Sequence, residues 1–159
     1  MSDYILSEGF QEAERGEVVA LLREYENQIG VSLSFQDFRA ELAGLPGAYA
    51  PPGGTLILAR SAHGAGLAGC VAVRRLLPAT AQRCEMKRLY VRAEARKSGL
   101  GRRLALAAIA AGRRLGYQAI CLDTLPSMRA AQALYVTLGF RRVGIGGGEP
   151  PVILFECTL

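Results

Sequence analysis

The sequence predicts an α/β layered domain built around a mixed sheet, and three observations predict it. Segments with apolar residues at helical spacing alternate with short strand-like runs, the pattern of helices packed on a sheet. The 159 residues suit one domain, 1–159, and no internal repeat or linker divides them. A composition of 50% hydrophobic and 21% charged residues supplies a core and excludes a disordered chain.

The elements follow in order. Tyr4 to Ser7 reads as a short strand. Val18, Leu21, Leu22, Tyr25 and Ile29 recur at helical spacing in a charged segment, which predicts an amphipathic helix of about four turns. A second short helix is expected over Phe35 to Ala43, stopped by Gly44 and Pro46, and LPGAYAPPGG reads as a loop. Thr55 to Arg60 and Leu67 to Val73 read as a hairpin around SAHGAG, and Cys84 to Val91 as the next strand. Leu100, Leu104, Ala108, Ala111 and Leu115 define a helix that Gly116 stops. Ala119 to Thr124 reads as a strand whose apolar run suits burial on both faces. Met128 to Leu138 is a helix closed by Gly139, and Phe140 to Val143 and Val152 to Thr158 are two strands around GIGGGEPP.

The formal net charge of +5 is unevenly placed. Residues 83–114 carry a net of +8 and residues 1–50 a net of −6, so two differently charged regions are expected, not a uniformly basic nucleic-acid binder. Cys70, Cys84, Cys121 and Cys157 lie far apart with no C-x-x-C pair, and His63 is the sole histidine, which argues against a metal site and a disulfide framework. The start, MSDYILSE, lacks a basic segment followed by an apolar stretch, and the uncharged run Leu42 to Ala59 is broken by three prolines and four glycines. A cytoplasmic protein with reduced thiols and no membrane partner is expected.

The sharpest local feature is R-K-S-G-L-G-R, residues 96–102, between a strand and a long helix. Gly99 and Gly101 allow a tight turn and close approach of a ligand to the backbone, and the first helical turn offers unpaired N–H donors at the positive end of the helix dipole. Together these suit an anion, best a phosphate, with Arg96, Lys97, Arg102 and Arg103 as surrounding cations. The spacing matches neither a dinucleotide fingerprint nor a P-loop. An ordinary strand-to-helix turn with solvated arginines is the competing reading.

Here the sequence resembles the GCN5-related N-acetyltransferase (GNAT) superfamily. Leu89-Tyr90-Val91 followed by Arg96, Gly99 and Gly101 fits its L-x-V…[RQ]-x-x-G-x-[GA] signature. Ala131, Leu134, Tyr135, Gly139 and Phe140 fit A-x-x-L-Y-x-x-x-G-F. The resemblance implies a single-domain acyl-CoA N-acyltransferase fold, with a mixed, mostly antiparallel sheet and helices on both faces. It also implies acetyl-coenzyme A as co-substrate, with no metal. Its pyrophosphate would sit on the loop of Arg96, Lys97, Ser98, Gly99, Leu100, Gly101 and Arg102, and its pantetheine arm along Leu89, Tyr90 and Val91, where a backbone N–H near Leu89 would polarise the thioester carbonyl. In this family a bulge splays that strand from its neighbour. Ala93 stands where the family usually has Pro, and Met128 where an Asn is common.

Acetyl transfer to an amine needs a neutral nucleophile, a stabilised oxyanion and a proton for the leaving thiolate. The resemblance makes Tyr135 the candidate acid; the alternative is a core tyrosine beside Leu134 and Leu138. Glu85 is the candidate base, because i, i+4 and i+6 on a strand face one side and would group it with Leu89 and Val91; the alternative is a carboxylate paired with Lys87 or an arginine. A cysteine nucleophile is disfavoured by the lack of a neighbouring base, so direct transfer in a ternary complex is expected.

The acceptor would dock against the N-terminal helices, which carry Glu12, Glu14, Glu17, Glu24, Glu26, Asp37 and Glu41. An acidic wall there would favour a cationic amine; solvated helix faces are the plainer alternative. A non-catalytic acetyl-coenzyme A binding module and a nucleic-acid binder remain as competing functions, the second lacking aromatic interleaving and a recognised module. Strand pairing through Val152 to Leu159 would make a homodimer.

Overall fold

The computed structural model describes residues 2–33, 37–77 and 82–159. Its strands are β1 (Tyr4–Glu8), β2 (Thr55–Ser61), β3 (Leu67–Arg75), β4 (Arg83–Val91), β5 (Ala119–Thr124), β6 (Arg141–Gly146) and β7 (Val152–Thr158). Its α-helices are α1 (Arg15–Ile29), α2 (Phe38–Ala43), α3 (Leu100–Arg114) and α4 (Arg129–Thr137). The strands form one seven-stranded sheet in the order β1-β2-β3-β4-β5-β7-β6. Every neighbouring pair is antiparallel except β4 and β5.

The helices cover both faces, and each face has its own core. Val18, Leu21 and Leu22 of α1 and Phe38 and Leu42 of α2 pack against Leu56, Leu58, Cys70 and Ala72. Leu100, Leu104 and Ala108 of α3 and Tyr135 of α4 pack against Ile57, Val71, Val73, Met86 and Ile120 on the other face. Alternate residues of β2 and β3 thus serve opposite cores, as a two-sided sheet requires.

Most expected elements are present within a residue or two. The expected start of the second helix, Phe35, lies outside the described residues, and the helix observed begins at Phe38. Strand β6 runs on through Gly144 to Gly146, where a turn was expected, because its partner β7 supplies a ladder for those glycines. Strand β5 is not covered on both faces: its burial alternates, with Cys121 and Asp123 half-buried. Strand β7 lies between β5 and β6, so its edges are both taken and the expected dimer pairing through it is closed off. The sheet edges are β1 and β6.

Candidate active site

The site begins where β4 and β5 part. Their parallel ladder pairs Arg83 with Ala119, Cys84 with Ile120 and Glu85 with Cys121, and runs no further. On its other side β4 pairs with β3 through a bulge. Cys70 faces Tyr90 and Ala72 faces Lys87, so Val71 alone opposes both Arg88 and Leu89. Arg88 takes up the extra residue with φ +60°, a conformation costly for a side chain with a Cβ.

Arg88 is held there from several sides. Its guanidinium donates from Nε and Nη2 to the two oxygens of Glu41 on α2, lies 4.8 Å from the Phe38 ring centroid, and its carbonyl accepts from the Cys70 thiol at 3.3 Å. The side chain is buried.

The bulge also reverses the alternation of β4. Cys84 and Met86 belong to the α3/α4 core, and past the extra residue Leu89 and Val91 pack against that same core. Tyr90 packs on the α1/α2 side, its hydroxyl donating to Glu24. The expected grouping of Glu85 with Leu89 and Val91 is therefore overturned, since one inserted residue puts Glu85 on the opposite face. Glu85 is bound by Arg74 at 3.1 Å and Lys87 at 3.5 Å and lines a shallow depression with Ala48, Gly53 and Arg75.

Between the parted strands lies a cleft lined by residues from both faces of the sheet. Leu89, Leu125, Met128 and Tyr135 line it on the α3/α4 side, and Tyr25, Ile29 and Leu33 on the α1/α2 side. At the base of the gap Lys87 Nζ reaches Asp123 Oδ1 at 3.2 Å, joining β4 to β5 just beyond their last ladder pair. Asp123 escaped the sequence reading because it stands alone within an apolar run; its position after Leu122 on a strand was the available signal.

Tyr135 is buried, its ring set edge-on against Phe140 at 5.8 Å and tilted against Phe155 at 6.1 Å. Its hydroxyl has no hydrogen-bond partner among the described residues, yet no sealed polar side-chain atom there lacks one, so the hydroxyl opens into the cleft. Burial holds the phenol well above the ordinary tyrosine range, with Tyr25 and Asp123 adding to the rise.

The loop after β4 leads the chain from the cleft to the start of α3. Ala93–Ala95 forms a single 3-10 turn, Lys97 and Gly99 have φ of +62° and +81°, and α3 starts at Leu100. Ser98 Oγ donates to the Ala95 carbonyl at 2.6 Å and accepts from the Leu100 N–H at 3.3 Å. The N–H groups of Lys97, Ser98, Gly99, Gly101 and Arg102 have no acceptor among the described residues. Arg96 donates to the Val91 carbonyl at 3.0 Å and Arg102 to Thr137 at 3.1 Å, while Lys97 makes no ion pair among the described residues. Arg103 is drawn away, donating to Ser2 and the Tyr4 carbonyl on β1.

The acidic N-terminal segment is not an open wall. Glu12 binds Arg15, Glu14 binds Arg60, Glu24 binds Arg92 and Glu41 binds Arg88. Glu17 accepts from the Leu67 N–H at 2.7 Å and Glu26 from the Leu33 N–H at 2.9 Å. Among the described residues three ion pairs, Arg88–Glu41, Arg92–Glu24 and Arg114–Glu8, join the basic region to the acidic one. Only Asp37 of those seven acids lacks a side-chain partner among the described residues.

Among the described residues no group of three or more His, Cys, Asp or Glu side chains is placed to hold a metal, and no helix is long and apolar enough to cross a membrane. The four cysteines are free thiols. Burial pushes Cys70 and Cys84 up to about 12 and Cys121 up to about 11, which keeps them as thiols near neutral pH.

Comparison with known proteins agrees with this geometry. The chain is 42% identical over 121 residues, 76% of its length and 72% of the relative's, to an uncharacterized N-acetyltransferase of Schizosaccharomyces pombe. Its fold is similar to that of a GNAT-family acetyltransferase of Staphylococcus aureus (TM-score 0.80, 18% identity, covering 98% of this chain and 99% of that one). It is also similar to a GCN5-related N-acetyltransferase of Kribbella flavida (TM-score 0.77, 20% identity, covering 99% and 98%). The family model described as acetyltransferase (GNAT) family matches residues 14–140. On these sequence matches, with the parted strands already in view, the chain belongs to the acetyltransferase (GNAT) family and is an N-acetyltransferase.

Proposed function

We propose that this N-acetyltransferase moves an acetyl group from acetyl-coenzyme A to a primary amine by direct transfer, with both substrates bound at once. The observation that carries the proposal is the continuity of three features. A loop with five unpaired N–H groups leads into a β4 edge left open by β5, and that edge leads to the free Tyr135 hydroxyl.

The loop fits a pyrophosphate. Gly99 and Gly101 carry no side chain over the N–H groups, the α3 dipole is positive there, and Lys97 is exposed beside it. Leu100 is a weaker donor than expected, since Ser98 already occupies its N–H. Beyond Glu85 the β4 edge facing β5 has no ladder partner, so its backbone groups are available to a pantetheine amide. Leu89 and Val91 contribute through backbone and flank; Tyr90 contributes its backbone only, its ring being turned to Tyr25 and Arg96.

In the transfer, the amine lone pair attacks the thioester carbonyl, a C–N bond forms and the C–S bond breaks. A β4 N–H near Leu89 stabilises the oxyanion, Tyr135 gives its proton to the departing thiolate, and the proton shed by the acylated nitrogen passes to solvent, from which the phenolate is reprotonated. Direct transfer suits thiols that stay protonated and offer no thiolate to carry the acetyl group. Reduced thiols also fit a cytoplasmic setting.

The test is a thiol-release assay with an amine panel, run alongside mass spectrometry after rapid mixing. Release that depends on both acetyl-coenzyme A and amine, with no acetylated enzyme, is expected. An acetyl-enzyme formed and consumed at the turnover rate would overturn direct transfer.

A further inference from the structure

We propose that Asp123 is the docking group for the acceptor nitrogen, and that the acceptor is a primary amine borne on an apolar body and not a polycation. This rests on the acetyl-transfer reading above and deepens it.

The cleft has two ends on opposite faces of the sheet. The coenzyme would occupy the α3/α4 side, along Leu89 and Val91 towards Tyr135. The other end is left for the acceptor. Ile29, Val31, Leu33 and the Tyr25 ring supply apolar walls there, and Lys87 and Arg88 add cations already bound to carboxylates. Even residues of β5 face the α3/α4 core, so Asp123 projects to the acceptor side.

Asp123 is the one carboxylate among the described residues that line the cleft, and this decides how many ammonium groups that end can satisfy. Glu41 lies outside the lining and is bound by Arg88 and Tyr49. Glu85 gives one oxygen to Arg74 and the other to Lys87. Asp123 gives Oδ1 to Lys87, and its Oδ2 has no partner among the described residues. Asp123 Oδ2 is thus the unpartnered carboxylate oxygen in the cleft among the described residues, with the side chain 22% exposed. It can hold one amine nitrogen, charged or neutral. A second or third ammonium of a polyamine or aminoglycoside would meet aliphatic walls and lose its hydration without recompense. Asp123 also lies close enough to Tyr135 to act on its phenol electrostatically, so a nitrogen held on Oδ2 stays within the reacting region.

The experiment compares kcat/KM for aralkyl and alkyl monoamines with that for spermidine and kanamycin, using the full chain saturated with acetyl-coenzyme A. It also measures binding of the best amine against its analogue lacking the amino group. Monoamines with apolar bodies should lead by tenfold or more. Asp123→Asn should raise the amine KM about ten- to a hundredfold, the worth of a charge-assisted hydrogen bond, and abolish the preference for the amine over its deaminated analogue. Its acetyl-coenzyme A affinity should not move, and Asp123→Glu should restore part of the loss. Lys87→Met removes the present partner of Oδ1 and should keep the preference; its loss there would mean that Lys87, not Asp123, sets it. Better turnover of polycations, or an Asp123→Asn enzyme with an unchanged amine KM, would overturn the proposal while leaving acetyl transfer standing. Failure of the wild type to bind acetyl-coenzyme A would remove the transfer reading and this one with it.

Discussion

The guanidinium of Arg88 meets both carboxylate oxygens of Glu41, Nε to Oε2 at 2.9 Å and Nη2 to Oε1 at 3.0 Å. The pair ties the bulge of β4 to the short helix α2, and Tyr49 adds a hydrogen bond to Glu41 at 2.9 Å. Arg88 is the residue whose backbone is strained at φ +60°, so its side chain is what holds that strain in place.

Glu41→Ala should therefore strip a buried cation of its carboxylate and cost about 3–5 kcal/mol of stability, with Glu41→Gln less severe. Urea unfolding at constant slope measures it. A loss below about 0.5 kcal/mol would show that the pair is well solvated and worth no more than an exposed one.

Tyr135→Phe removes a hydroxyl with no hydrogen-bond partner among the described residues, so stability should change little. Removing a general acid should lower kcat about 10²- to 10⁴-fold with the KM for acetyl-coenzyme A nearly constant. Burial raises the phenol, so the wild-type alkaline limb of kcat should lie above the ordinary tyrosine value of about 10. The same shift makes the protonated phenol a stabilising group below about pH 10, and that contribution is lost as pH climbs towards the raised value. An alkaline limb below pH 9 would remove Tyr135 from the role.

Gly99 and Gly101 should respond differently to alanine. A Cβ at Gly101 would lie 3.8 Å from Val91 Cγ2 and 4.0 Å from Leu134 Cδ2, ordinary contacts, and alanine favours a helix by about 0.5–1 kcal/mol. Gly101→Ala should thus melt slightly higher while its methyl raises the KM for acetyl-coenzyme A several-fold. Gly99 has φ +81°, so Gly99→Ala should lose about 1–2 kcal/mol to backbone strain. Equal coenzyme KM values for Gly101→Ala and wild type would place the pyrophosphate elsewhere.

Thiol labelling gives a further check. With Cys70, Cys84 and Cys121 all pushed upward by burial, iodoacetamide at pH 7.5 should modify native protein slowly at these sites, as read by peptide mass spectrometry. Cys121→Ala should keep its turnover number within a factor of about two, since it touches no reacting group, the usual outcome away from a site. Rapid labelling of Cys84 would contradict its burial.

Much of the fold was legible because period and punctuation agree. The α3 seam from Leu100 to Ala111, the β2–β3 hairpin and the C-terminal glycines of α3 and α4 were each marked by spacing or by Gly. The bulge was not, because its left-handed residue is an arginine and its cause is a distant glutamate on another helix. That hidden residue misdirected the site reading, since a period of two carried Glu85 across to Leu89. Asp123 stayed hidden for a different reason: one polar residue in an apolar run looks like noise until the strand beside it is seen to depart. The acids of the first helix looked like a surface because sequence shows charge but not its partners.

The place of β7 has a consequence for how the chain is made. Strands β5 and β6 both leave the ribosome before β7, yet β6 pairs with β7 alone among the described strands and β5 has otherwise only its short ladder with β4. A nascent chain halted before residue 152 would carry two unpaired strand edges beside a nearly finished core, an open template for mispairing with neighbouring chains. Insertion of β7 between β5 and β6 is thus the event that covers both edges at once.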